Sequence, residues 1–182
     1  MYTVPASKLY SVDLLTKSQF ISYNDPTSLD PEHEWKIPPI SGDWWLQDAS
    51  TDETKNVSGE TITIPGHTRY VYVVHNNKLT KYTGVVNCSS MKVRPLLTLN
   101  SSILNSNPAA GEIVAIRDLV LFANIEWVVL TGTALIPRDS IGCCAFNLDW
   151  KSQKAQVYYI AGTSGYKSTV KTYLEEWFKF WK

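Results

Sequence analysis

Ser164 is the residue whose surroundings most suggest covalent chemistry. It stands in Gly162-Thr163-Ser164-Gly165, a serine held between glycines on a tight turn. A serine nucleophile needs backbone N–H groups beside it to hold an oxyanion, a histidine to take its proton, and a carboxylate to orient that histidine. His67 or His75 can supply the base, and Asp118 or Asp139 the orienting group. The same string also reads as an ordinary strand-to-helix connection, a glycine turn followed by a Ser or Thr cap.

The four residues resemble the G-x-S-G nucleophile loop of chymotrypsin-like proteases, including viral ones. The resemblance implies Ser164 as nucleophile with His67 and Asp139 as partners. That family places further strands after its nucleophile to build the substrate pocket. Here 17 residues follow Gly165, and they read as a helix. A four-residue match without its structural context is a weak motif.

Other chemistry finds less support. His33, His67 and His75 are the three histidines, and none has a second histidine at ligand spacing. Cys88, Cys143 and Cys144 form no C-x-x-C and are odd in number, so reduced, buried thiols are expected rather than a disulfide framework or a metal site. Adjacent Cys143 and Cys144 on a strand would face opposite ways. No glycine-rich phosphate loop is present. The expectation is therefore of no metal and no cofactor.

Composition narrows the partners. Seventeen Lys+Arg balance 17 Asp+Glu in 182 residues, so the excess of basic residues typical of a polyanion binder is missing. No stretch approaches the roughly 20 apolar residues that span a bilayer. Met1 to Pro5 lacks the basic-then-apolar order of a signal peptide. Location stays open between a virion and solution. The sequons at Asn56, Asn87 and Asn100 matter only in a secretory setting. The seven Trp and ten Tyr suit sheet surfaces and cores, and they also make contact surfaces. Trp35, Trp44 and Trp45 cluster where regular structure begins. They are the candidate partner-binding anchors, with core packing as their other use.

The elements that would position these residues are mostly strands. Residues 1–42 are broken by Asp25-Pro26, Asp30-Pro31 and Pro38-Pro39 and read as an irregular N-terminal arm, with a weak helix around Ser11 to Phe20. Residues 43–182 read as one mainly β domain. Strands are predicted at Trp44–Gln47, Thr61–Ile64, Tyr70–Val74, Leu79–Tyr82, Val93–Leu99, Glu112–Ile116, Leu119–Phe122, Ile125–Leu130, Ile141–Leu148 and Gln156–Ile160. Asn76-Asn77 marks a hairpin, because asparagine tolerates the positive φ such turns require. Short strands at this spacing suggest an antiparallel β-sandwich or barrel. The chain then changes period. Val170, Tyr173, Leu174, Trp177, Phe178 and Trp181 form a helical apolar stripe over 168–182, capped by Ser168 or Thr169. Lys171, Glu175 and Lys179 lie on the opposite face, with Glu175 and Lys179 spaced to pair.

The run Ile125 to Pro137, closed by a proline turn, and the small-residue strand Ile141 to Asp149 together resemble the middle strand pair of viral jelly-roll coat proteins. Plant-virus movement proteins of related architecture show a similar pattern. The resemblance covers roughly 25 residues. It implies a jelly-roll-like antiparallel β-sandwich and a viral structural role, as a coat subunit or projecting surface domain. Such a protein works through self-assembly, other protein subunits or a host receptor. Coat proteins that package RNA often carry a basic arm, and this chain has none, so direct phosphate neutralisation is not expected. Loops such as Asp48 to Gly59 and Asn100 to Gly111 are the natural contact sites. Two alternatives stand beside this reading: a serine hydrolase using Ser164, and a carbohydrate- or ligand-binding β-sandwich.

Overall fold

The computed structural model describes residues 1–24, 37–49, 53–57, 60–64, 71–81, 86–104, 114–149, 151, 157–162 and 165–182. In chain order the elements are β1 (Tyr2–Thr3), β2 (Leu9–Leu14), α1 (Lys17–Tyr23), β3 (Trp44–Ala49), β4 (Glu53–Val57), β5 (Glu60–Ile64), β6 (Val71–His75), β7 (Lys78–Lys81), β8 (Lys92–Val93), β9 (Pro95–Leu99), β10 (Leu119–Phe122), β11 (Ile125–Thr131), β12 (Ala134–Pro137), β13 (Gly142–Cys143), β14 (Tyr159–Ile160), β15 (Tyr166–Lys167) and α2 (Thr169–Trp181). The described residues are mainly β, with two α-helices and mixed sheets. A six-stranded sheet runs β1-β10-β11-β12-β9-β2, and a five-stranded sheet runs β13-β8-β3-β6-β7. Most pairings are antiparallel, but β1 pairs with β10, and β3 with β8, in parallel.

The chain passes directly from one sheet to the other at Arg94, between β8 and β9. Sequence reading had a single strand over Val93–Leu99, and Arg94 divides it. The guanidinium is fully buried, and its three nitrogens donate to Pro137 O at 3.1 Å, Pro38 O at 2.7 Å and Arg138 O at 3.5 Å. It also lies 5.4 Å from the Trp44 ring. Burial lowers its pKa to about 10, with Asp139 acting the other way, so it stays charged at neutral pH. One side chain thus ties the sheet junction to two loops.

Of residues 1–42, expected as an irregular arm, 1–24 carry regular elements, and 25–36 lie outside the described residues. β2 pairs with β9 from Leu9↔Leu99 to Leu14↔Pro95, and it buries Leu9, Val12 and Leu14. α1 begins after β2 because Thr16 and Gln19 form a capping box. Gln19 N donates to Thr16 Oγ1 at 2.9 Å and Thr16 N donates to Gln19 Oε1 at 2.8 Å.

Two tight hairpins have both central residues at positive φ. They are Asn76 (48°) and Asn77 (60°) between β6 and β7, and Ala123 (55°) and Asn124 (57°) between β10 and β11. Such turns match the right-handed twist of their strands. The strand expected at Ile125–Leu130 is β11, and the longer run to Pro137 is a hairpin, β11 turning into β12 at Gly132-Thr133. Of the expected strand at 141–148, Gly142–Cys143 is regular, and it pairs with β8 rather than β11. Val114 to Arg117 is not a strand, and the start of the segment expected there lies outside the described residues.

The core has two parts. Trp44 and Trp45 are consecutive on β3, so they point to opposite faces. Trp45 meets the Phe146 ring at 5.6 Å in a cluster that also holds Val73, Leu97, Trp127 and the α2 residues Val170 and Leu174. Trp44 packs with Leu46, Val74, Leu130, Ile136 and Phe20 of α1. Both faces of the central strands are therefore covered, which is why Val71–Val74 and Ala134–Pro137 are buried without alternation. Ser168 caps α2 by accepting from Lys171 N at 3.2 Å. Trp177 then lies 6.0 Å from Trp127 and 6.2 Å from Phe122.

Candidate functional site

A cavity of about 580 Å³ opens between the end of β2, α1, β3, β9 and the segment entering β14. That volume falls inside the span of about 300–1,000 Å³ common for small-molecule sites. Its polar lining comes from Asp13, Gln19, Gln47, Thr98 and Tyr159. The β2–β9 register sets Asp13 opposite Leu96 and Ser11 opposite Thr98. Gln47 is locked to the end of β2: its backbone N donates to Leu15 O at 3.0 Å and its Nε2 to Leu14 O at 2.9 Å. Gln19 is fixed by the capping box.

A chain of charges starts at Asp13 in the cavity lining. Lys171 Nζ lies 2.5 Å from Asp13 Oδ1 and 3.6 Å from Glu175 Oε1, and Lys167 Nζ lies 2.5 Å from Glu175 Oε2. The Tyr158 hydroxyl accepts from Leu14 N at 3.1 Å and donates to Asp13 Oδ1 at 3.2 Å. Burial, and then the Asp13 carboxylate, push the Tyr158 pKa far up, so it remains a neutral phenol. Burial pushes Glu175 up, but its bond to Lys167 and the charges of Lys167 and Lys171 outweigh this and hold it below the usual carboxylate range. Sequence reading put Lys171 on the exposed face of α2. It is instead buried, over the rings of Tyr158 and Tyr159 at 5.7 and 5.6 Å. Glu175 pairs back toward Lys171 and Lys167.

Among the described residues, Asp13 Oδ2, Gln19 Nε2 and Gln47 Oε1 have no hydrogen-bond partner. Two acceptors and one donor therefore accompany the Thr98 hydroxyl around one cavity. Sequence reading missed this group. The T-x-x-Q capping signature was the one local signal pointing at any member.

Ser164, His67 and Trp35 fall outside the described residues. Trp44 and Trp45 are 1% and 0% exposed, so their rings belong to the core. Asp139 accepts from Ser140 N at 2.7 Å and Lys92 Nζ at 3.2 Å, and these two bonds lower its pKa. Asp118 accepts from Ala115 N at 2.7 Å and closes a turn. His75 does have a carboxylate partner, Asp43, at 2.7 Å from Nδ1. Its Nε2 lies 2.9 Å from Asn76 Nδ2, which occupies the lone pair a general base would use. None of the three cysteines is in a disulfide. Cys143 is exposed, against expectation, while burial pushes the half-buried Cys144 thiol up to about 12. Among the described residues there is no group of three or more His, Cys, Asp or Glu able to hold a metal, and no helix long and apolar enough to cross a membrane. No protein-family model, curated protein or solved structure matches the chain.

Proposed function

We propose that the chain is a recognition protein that binds a small polar ligand in the cavity lined by Asp13, Gln19, Gln47, Thr98 and Tyr159. The observation that carries this reading is the convergence of unpaired polar atoms from three elements around one concave site. Unpaired polar groups favour a partner that restores the hydrogen bonds lost from water. Ala49 also lines the cavity, on β3 opposite Val71. Ala49→Trp fills the space from a partly exposed position. It is expected to abolish ligand binding in calorimetry while leaving the melting temperature within a few degrees. Retained affinity in a folded Ala49→Trp protein would place binding elsewhere.

A second reading follows from exposed apolar side chains flanking the start of α2. Leu148, Tyr159 and Ile160 are 65%, 48% and 40% exposed, and Leu148 N bonds Thr169 Oγ1 at 3.0 Å. Such side chains suit protein contacts. They support assembly or partner binding, as in a viral coat subunit or projecting surface domain of jelly-roll-like design. Under this reading, light scattering after size-exclusion chromatography shows a defined oligomer that Leu148→Asp with Ile160→Asp dissociates. A monomer at all concentrations would count against self-assembly.

A further inference from the structure

We propose that the cavity selects a neutral, hydroxyl-rich ligand of the saccharide or polyol class, an inference that rests on the cavity being a binding site.

The charges argue for neutrality. Asp13 is the one charged residue among the described lining, and Lys171 pairs with it at 2.5 Å, in a chain that continues away through Glu175 to Lys167 with alternating sign. Among the described lining residues, an anionic ligand meets the Asp13 carboxylate and no free cation. Lys171 Nζ is already held by two carboxylates, and its side chain is 11% exposed. A cationic ligand gains a carboxylate that Lys171 already neutralises, and it still bears the cost of leaving water. An apolar ligand would cover Asp13 Oδ2 and Gln47 Oε1 and leave them unpaired, at the cost of a lost hydrogen bond each.

A hydroxyl-rich ligand suits the remaining atoms. Each hydroxyl both donates and accepts. One O–H can donate to Asp13 Oδ2, forming a charge-assisted bond stronger than a neutral one. A second can donate to Gln47 Oε1, while Gln19 Nε2 donates to a ligand oxygen and Thr98 can do either. The half-exposed Tyr159 ring lines the same cavity and can meet the C–H surface of such a ligand.

The test is an array of neutral glycans and polyols, with phosphorylated and amino-sugar counterparts, followed by calorimetry on hits with wild type, Thr98→Val and Ala49→Trp. Thr98→Val keeps the shape and removes one hydroxyl. The expected result is binding of at least one neutral compound, with charged counterparts at least about tenfold weaker. Thr98→Val should weaken it by about threefold to tenfold without a change in melting temperature, the effect of one hydrogen bond. Charged compounds binding in preference to neutral ones overturns the inference. If Ala49→Trp then removes that binding, the cavity reading survives. If it does not, or if no compound on the array binds, both fail.

Discussion

Replacing Arg94 with alanine is expected to lower the unfolding free energy by about 3–5 kcal/mol, the range for stripping one partner from a buried charged network. The guanidinium donates to three carbonyls, on Pro38, Pro137 and Arg138. Alanine leaves those acceptors without their donors, at about 1–3 kcal/mol for each that stays buried and unpaired. It also removes the contact with Trp44 and opens a void at the sheet junction. Relaxation and water entry keep the total below the sum. Arg94→Lys retains the charge but lacks the planar fork that reaches several acceptors, so it should fall between the two. Urea unfolding measures both variants. A loss under about 1 kcal/mol for alanine would show that the junction is held by other contacts.

Trp127→Ala should cost a similar amount, about 3–5 kcal/mol, by the cavity it leaves. Trp127 is fully buried, and its Nε1 donates to Phe122 O at 3.1 Å. Its ring meets Phe122 at 6.3 Å and Trp177 of α2 at 6.0 Å. The effect should therefore extend to the helix. Hydrogen exchange at the amides of α2 around Trp177 should quicken more than exchange in the β6–β7 hairpin. Equal acceleration in both places would mean that the protein opens as one unit, and α2 would have no separate dependence on Trp127.

Local patterns were legible where local physics decides them. The α2 stripe was readable because Val170, Leu174 and Trp177 recur on one face, and Ser168 is its cap. The Asn76-Asn77 hairpin was readable because its residue type announces positive φ. The strands flanking Ala123-Asn124 were readable from their apolar runs, but the positive φ of the turn was not, since alanine rarely adopts that conformation and carries no such signal. β2 was missed because Ser11 and Asp13 interrupt its apolar residues and a bulge between Leu9 and Ser11 breaks the alternation. What holds it is a neighbouring strand some 85 residues away, at Leu97 on Val12.

The same distance problem hid the candidate site. Lys171 reads as solvated because it shares the face opposite the apolar stripe with Glu175 and Lys179. The partner that buries Lys171 is Asp13, 158 residues earlier. Gln47 and Thr98 look like any half-exposed strand residue until β2 and β3 are brought together at Leu14–Leu15. Ser164 shows the converse. A short local string suggested chemistry, whereas the partners it needs can be supplied by tertiary structure alone.

The most direct measurement is a two-dimensional NMR titration that follows the side-chain NH₂ resonances of Gln19 and Gln47 while a neutral glycan identified by the array is added. The cavity account predicts that these two resonances, with the backbone amides of Thr98 and Tyr159, shift together and saturate at one dissociation constant. Shifts clustered instead around Glu126, Arg138 and Ser140, with Gln19 and Gln47 unmoved, would contradict it.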